Sequence, residues 1–277
     1  MESGHAANTT HYEFDENTIR PVPTGGSVAM PPELFEKLYL SPQNKAKGDL
    51  RKTFGNPTPV GIAGFLISLG PLACDLMGWR GAGGSGAASI PFFIFFGGIL
   101  EFIGGLFELL LGNTFPSVVF LSFGAFWTAY GCELLPQFNA YASYAPSGES
   151  AALGLETQGF NASFGFVTLS MGLLCIVFLV CSIRTNLAFV LVFFSLVLVF
   201  SLITGAYFAL AENYVANAAF AGRLLVASGA FSFVATAAGW WILLSLMLAS
   251  VDMPFALPLG DLSTKIRGAS DYKQAQA

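Results

Sequence analysis

Six apolar stretches follow residue 57, and each is long enough to cross a lipid bilayer as a helix. A helix needs about 20 mainly apolar residues to span the hydrocarbon core of a membrane. The predicted spans are residues 58–78, 91–111, 115–135, 163–183, 187–211 and 222–249. Only 10% of the residues are charged, whereas soluble domains contain about 25%. We therefore predict an all-α membrane protein with six transmembrane helices per protomer.

The chain divides into a membrane domain between two polar tails. Residues 1–55 contain no apolar run of spanning length, and we predict a largely disordered cytoplasmic tail there. Inside this tail, a short segment after two prolines has its apolar residues on one side, namely Leu34, Phe35, Leu38 and Tyr39. It either lies on the membrane surface as an amphipathic helix or is a plain linker. The transmembrane domain is predicted to cover 56–250, and a cytoplasmic tail 251–277.

Basic residues predict the orientation of the helices. With six spans, most of them fall on the side of the two termini, namely Lys45, Lys47, Arg51, Lys52, Arg184, Lys265 and Arg267. Only Arg80 and Arg223 fall on the opposite side. Because Lys and Arg are enriched in cytoplasmic loops, we predict that both termini are cytoplasmic.

Two acidic residues lie inside the second span, on a face that also carries glycines. Gly97, Glu101, Gly104 and Glu108 follow helical spacing and share one side of the helix. Carboxyl groups at membrane depth rarely face lipid, so this side is predicted to face a pore or a closely packed helix. Neither acid has a basic residue in its own span. They either exchange protons near neutral pH or hydrogen-bond to polar residues on adjacent helices.

The first span opens with Asn56, Pro57, Thr58, Pro59, Val60 and Gly61. Proline is well tolerated at a helix start because the first amides have no intrahelical partner. Free amides at the positive end of a helix can bind a carboxylate or phosphate. The segment is therefore either a site where a substrate enters or simply a capped helix start.

Other chemistry is excluded by what the sequence lacks. The only histidines, His5 and His11, lie in the polar N-terminal tail, and the four cysteines form no CxxC pair. No pattern typical of a metal site, a cofactor loop or a nucleophile–base pair is present. We predict a protein that is not an enzyme and that binds no metal, cofactor or nucleic acid.

Several motifs in one order resemble the acetate uptake transporter family, also called succinate–acetate permeases. The residues are NPTPVGI from Asn56, Glu108 four positions before Gly-Asn-Thr-Phe, and SFGAFW from Ser122. The resemblance extends over about residues 56–250. The Leu-Pro-Leu-Gly-Asp-Leu sequence at 257–262 resembles fungal-type members.

The resemblance implies a homo-hexamer in the plasma membrane with a separate pore in each subunit. Small monocarboxylates, acetate above all, pass through such pores with protons or as the undissociated acid. The family's hydrophobic constriction corresponds to Phe65, Phe123 and Leu196 in this chain.

Two positions depart from the family pattern. Phe123 stands where the family usually has tyrosine, which removes a hydroxyl from the constriction. Glu101 stands where glutamine is usual. An ionised Glu101 repels an anionic substrate, whereas a protonated Glu101 can donate a hydrogen bond to one.

The function that we predict is a proton-linked permease or channel for acetate or a similar monocarboxylate. In this scheme the Asn56–Gly61 segment receives the substrate, the constriction excludes hydrated ions, and Glu101 and Glu108 set the proton occupancy. Two alternatives remain open: a membrane sensor built on the same scaffold, and a channel for another small solute such as ammonia.

Overall fold

The computed structural model of the protein describes residues 54–262 and 265–266. Within these residues, six helices are long and apolar enough to cross a membrane. They are α1 (Thr58–Leu76), α2 (Gly84–Leu110), α3 (Thr114–Glu133), α4 (Gln158–Ser182), α5 (Leu187–Glu212) and α6 (Tyr214–Ser250). The prediction of six transmembrane helices is confirmed. The amphipathic segment predicted around Leu34 lies outside the described residues.

The connections between helices agree with the prediction in two places and differ from it in a third. The short connections from α2 to α3 and from α4 to α5 are confirmed, at 111–113 and 183–186. The connection from α5 to α6 was predicted to run from 212 to 221, and this prediction is wrong. A single residue, Asn213, separates the two helices, and its side-chain oxygen caps α6 by accepting from the Ala216 amide at 3.0 Å.

The early start of α6 explains the error in that link. Helix α6 has 37 residues, which at 1.5 Å per residue is about 55 Å. The hydrocarbon core is about 30 Å thick, so several turns of α6 extend beyond it. The first turns of α6 carry Asn217 and Arg223 among alanines. A prediction based on the length of apolar stretches does not detect helical turns of that composition.

The six helices form a ring in which backbone contacts run from α3 through α2, α1, α6 and α5 to α4. Between α3 and the pair α4 and α5 the backbones stay further apart. Aromatic side chains fill this seam with ring centroids 5.4 to 6.2 Å apart, namely Phe115, Phe123 and Phe126 against Phe178, Phe193 and Phe200. We call this contact the aromatic seam.

Helix α2 changes its winding along its length. A short 3₁₀ segment, Gly84–Ser89, leads into Pro91, and the helix is then π-helical over Phe93–Leu100. It returns to α-helical geometry at Glu101–Leu110. Stretches of π-helix are rare and are found frequently at functional sites.

Helices α1 and α2 approach each other closely where two glycines meet. A Cβ atom added to Gly104 would lie 2.9 Å from the backbone nitrogen of Gly61 and 3.0 Å from its Cα. A backbone cannot move aside as a flexible side chain can, so this contact requires glycine at position 104. Contacts between small residues are a common way of packing membrane helices.

We expect Gly104→Ala to lower the melting temperature of the purified protein, because the new methyl group forces α1 and α2 apart. The matched control is Gly222→Ala in α6, where an added Cβ has nothing within 4 Å. Alanine is about 1 kcal/mol more favourable than glycine inside a helix, so the control should melt at the same temperature or higher. Equal melting of both variants would contradict the close packing.

After α6 the chain turns back and lies against the bundle. We call Pro254–Leu262 the return segment. The Trp241 indole N–H donates to Pro258 O at 2.9 Å, and the amides of Leu187 and Ala188 donate to Gly260 O and Leu259 O at 2.8 and 3.3 Å. These acceptors satisfy amides at the start of α5 that have no partner within the helix.

Candidate functional site

A small cavity lies between α1, α2, α3, α5 and α6. Its walls are apolar apart from one acid and include five phenylalanines; they consist of Ile62, Phe65, Glu101, Val119, Phe120, Phe123, Phe189, Val192, Phe193, Leu196, Gly239 and Ile242. Glu101 is the single titratable residue among them.

The cavity occupies one half of the bundle. We call the end at which α1, α3 and α5 begin the Asn56 end, and the opposite end the Arg80 end. Phe65, Phe123 and Leu196 lie seven or nine residues into their helices, which corresponds to roughly 10 to 14 Å from the Asn56 end. The lining reaches back to Phe189 in the first turn of α5. The cavity therefore extends from near the bilayer centre toward the Asn56 end.

The three residues assigned to the constriction lie together in the cavity wall. The rings of Phe65 and Phe123 meet edge to face, with centroids 6.1 Å apart and an interplanar angle of 70°. Leu196 of α5 lines the same space, and all three side chains are buried. That they restrict the passage of a solute stays a prediction.

Glu101 is held in a narrow slot between two helices. Its side chain is 1% exposed, and its Cγ lies 3.1 Å from where a Cβ on Gly64 would be. Gly124 of α3 faces its Cβ from the other side. Glu101 Oε1 and Trp127 Nε1 make no hydrogen bond of normal geometry with any described residue, although the two side chains are close enough to interact with each other. A buried acceptor without a good donor is costly, so Glu101 retains capacity for a hydrogen bond with a molecule in the cavity.

Glu108 lies in a different environment, although it shares its helix face with Glu101. The Thr58 hydroxyl donates to Glu108 Oε1, and Asn113 Nδ2 donates to Oε2 at 2.6 Å. This polar cluster joins the starts of α1 and α3 to the last turns of α2 at the Asn56 end. Glu108 does not line the cavity. Of the two open expectations, hydrogen bonding to adjacent helices describes Glu108, and the unpartnered oxygen sets Glu101 apart.

The segment from Asn56 to Gly61 has little free hydrogen-bonding capacity in its backbone. The Thr58 amide donates to Asn56 Oδ1 at 3.0 Å, and the Val60 amide to Pro57 O at 3.0 Å. Pro57 and Pro59 have no amide hydrogen. Val60 is 38% exposed and faces outward. The geometry is that of a capped helix start, and an anion binding to these amides would have to displace existing partners.

Sequence reasoning missed several residues of the site. Asn113 completes the Glu108 cluster, and the signal was its place in the Gly-Asn-Thr-Phe motif, five residues after the acid. Phe120 and Phe193 follow the spacing of the predicted constriction residues, at i−3 from Phe123 and Leu196. Helical neighbours at this distance share a face, so both could have been found.

We expect Glu108→Ala to destabilise the protein strongly. The Thr58 hydroxyl and the Asn113 amide both lose this acceptor, and a buried polar group left without a partner costs about 1 to 3 kcal/mol. Glu108→Gln should cost less, because an amide oxygen can still accept one of the two hydrogen bonds. Thermal unfolding in detergent measures both. Glu156→Ala, which changes an exposed acid in the connection before α4, should have no effect, and equal loss there would refute the role of the cluster.

Comparison with known proteins places these features in a family. The model of the GPR1/FUN34/yaaH family matches residues 39–264. Protein alcS of Aspergillus fumigatus is 45% identical over 260 residues, which cover 94% of each chain. Acetate permease A of Emericella nidulans is 28% identical over 209 residues, covering 75% of this chain and 66% of its own.

A solved structure shows the same fold. The bacterial acetate channel SatP superimposes with a TM-score of 0.59 and 23% identity, covering 75% of this chain and 99% of its own. The activities named for these relatives are those of a permease and a channel, in agreement with the prediction that the chain is not an enzyme. The protein is a multi-pass membrane protein, and its sequence shows that it belongs to the GPR1/FUN34/yaaH family.

Proposed function

We propose that the protein is a permease or channel for acetate or a similar short monocarboxylate, and that transport is linked to protons. The observation that carries the proposal is the apolar cavity with a single acid in its wall. Its relatives include an acetate permease and an acetate channel. Solute crosses at the layer formed by Phe65, Phe123 and Leu196, where the apolar wall excludes hydrated ions.

Glu101 supplies the link to protons. The cavity lining contains no lysine, arginine or histidine that could neutralise an anion. When Glu101 is protonated it can donate a hydrogen bond to a substrate carboxyl group, and when it is ionised it repels a carboxylate. The permeable state is therefore the one in which Glu101 carries its proton. Glu108 acts at the Asn56 end, where it fixes the relative positions of α1, α2 and α3.

The setting of the protein is part of the same proposal. We place the Asn56 end in the cytoplasm, in keeping with the basic residues on that side. The protein would reside in the plasma membrane as a homo-hexamer with one pore per protomer. Many apolar side chains on the outer faces of α2 and α4 are exposed in the single chain, for example Phe95 and Phe166 at 60% and 61%, and lipid or neighbouring protomers would cover them.

The second candidate is a channel for a small cation or its neutral form. One feature of the cavity lining supports it. An ionised Glu101 surrounded by phenylalanine rings offers both a carboxylate and π faces, which together attract an ammonium ion. Ammonia is therefore the solute to set against acetate.

The test is uptake of radiolabelled acetate into proteoliposomes that contain the purified protein, with and without an inward proton gradient. Saturable uptake above that of empty vesicles, increased by the gradient, is the expected result. Uptake of a labelled amine such as methylammonium is measured in parallel on the same vesicles. Amine uptake without acetate uptake would favour the second candidate. No flux of either solute would leave the sensor as the better interpretation.

A further inference from the structure

We propose that the return segment is the gate of the cavity at the Asn56 end, and that Leu259 is the residue that closes it. The return segment is the only described part of the chain after α6 that turns back onto the helices. It includes the Leu-Pro-Leu-Gly-Asp-Leu sequence at 257–262, to which the function proposed above assigns no role. Its position, its attachment and its one buried side chain point to this role.

Leu259 inserts into the apolar interior from the end of the bundle. It is 3% exposed and belongs to the same continuous cluster of buried side chains as the cavity residues Phe193, Leu196 and Ile242. The rest of the segment differs from it. Pro254, Phe255 and Pro258 are exposed and Leu257, Asp261 and Leu262 are half-buried, so Leu259 is the one fully buried side chain of the segment.

The attachment points of the segment adjoin the cavity wall. Trp241 and Ser245, which donate to Pro258 O and Leu257 O, flank Ile242 on α6. The amides of Leu187 and Ala188 precede Phe189 on α5. Phe189 and Ile242 both line the cavity. The return segment therefore attaches to α5 and α6 within one to three residues of cavity-lining side chains, and none of its own residues lines the cavity.

On the α1–α3 side of the Asn56 end, the helices are held together by fixed structure. There the Glu108 cluster ties α1, α2 and α3 together with two side-chain hydrogen bonds. The return segment, by contrast, has no helical structure of its own over Pro254–Leu262. It can leave the bundle without breaking any helix, since what is lost is its own hydrogen bonds, its pairing at Asp261 and the burial of Leu259. Segments with so few buried contacts are the ones that open locally in native proteins.

Gly260 fixes the direction in which the segment leaves Leu259. Its φ angle of +72° favours glycine, and an added Cβ would lie 2.8 Å from the Cβ of Leu187. Gly260→Ala should therefore displace the segment without removing the leucine side chain. This gives a second variant that opens the gate by a different physical route.

The test measures access to the cavity in the full-length protein. Native Cys74, Cys132, Cys175 and Cys181 are replaced by serine or alanine, and Val192 in the cavity wall is changed to cysteine. A membrane-impermeant thiol reagent is then applied from the Asn56 end, and the rate of labelling is followed. Leu259→Ala and Gly260→Ala should each raise this rate roughly tenfold or more, as expected when most of the burial of one leucine is lost. Phe255→Ala, which changes an exposed ring of the same segment, should leave it unchanged.

A parallel background that retains only Cys175 distinguishes gating from general loosening. Cys175 is fully buried in α4, so its labelling should stay slow in every variant. Unchanged labelling of Val192→Cys in both gate variants would overturn the proposal, and so would equal acceleration at Cys175. The labelling does not depend on the solute. Absence of acetate flux from the parent protein would count against the proposed function alone, because the gate would still show itself in the labelling rate.

Discussion

Glu101→Gln is expected to keep carrying acetate as the pH rises, while transport by the parent protein falls. The ionised fraction of Glu101 grows as pH rises, and an ionised carboxylate repels an acetate anion in the same cavity. Two like charges 4 Å apart at a partly buried site repel by about 4 kcal/mol. A tenfold change in rate requires only about 1.4 kcal/mol. Glutamine keeps the shape and the donor of the protonated acid but cannot ionise.

The measurement is the ratio of mutant to parent uptake across a pH series in proteoliposomes. The ratio cancels the protonation of acetate itself, which both proteins experience equally. It should be near one in acid and should rise to tenfold or more as pH increases. Glu212→Gln, an exposed acid at the end of α5, is the control and should give a flat ratio. A flat ratio for Glu101→Gln as well would remove Glu101 from the proton linkage.

Phe123→Ala is expected to abolish the discrimination between acetate and longer monocarboxylates. The Phe123 ring contacts Phe65 in the cavity wall and Phe178 across the aromatic seam, with centroids 6.1 and 6.2 Å apart. Its removal opens the layer near the bilayer centre and joins the cavity to the seam. Larger acids should then enter, and competition with labelled acetate by butyrate or longer acids should increase at least tenfold, about 1.4 kcal/mol in relative affinity.

This variant also has a stability cost that must be measured beside the flux. Replacing a buried phenylalanine by alanine costs about 3 to 5 kcal/mol, so the melting temperature should fall. Phe95→Ala removes a ring that is 60% exposed on α2 and should change neither selectivity nor melting. A folded Phe123→Ala protein with unchanged selectivity would show that the constriction lies elsewhere.

The sequence predicted the helices well because apolar length and glycine spacing are local properties. Glu101 and Glu108 share a buried face as helical periodicity requires, and both have very low exposure. Helical periodicity could not predict that Glu108 would accept hydrogen bonds from Thr58 and Asn113 while Glu101 would line an apolar cavity. That difference depends on the packing of α1 and α3 against α2, which no spacing within α2 encodes.

Features that depend on tertiary contact escaped prediction. The Leu-Pro-Leu-Gly-Asp-Leu sequence was placed in a cytoplasmic tail, yet Leu259 is part of the core. Its burial goes with the hydrogen bonds that the Leu187 and Ala188 amides of α5 donate to Gly260 O and Leu259 O. These partners lie about 70 residues apart along the chain. The start of α6 was missed for a different reason, since alanine-rich turns outside the membrane are helical without being strongly apolar.

The π-helical stretch of α2 has a consequence for how the family can vary. A π-helical turn contains one residue more than an α-helical turn, as if a residue had been inserted. Deleting one residue between Phe93 and Leu100 would let the backbone relax to ordinary α geometry. Because the wide turn takes up the extra residue, this deletion would leave Pro91 and Glu101 on nearly the same faces of the helix as before. Homologues that lack one residue among these eight should therefore have an ordinary α-helix here and still present an acid or amide at the position of Glu101 to the cavity.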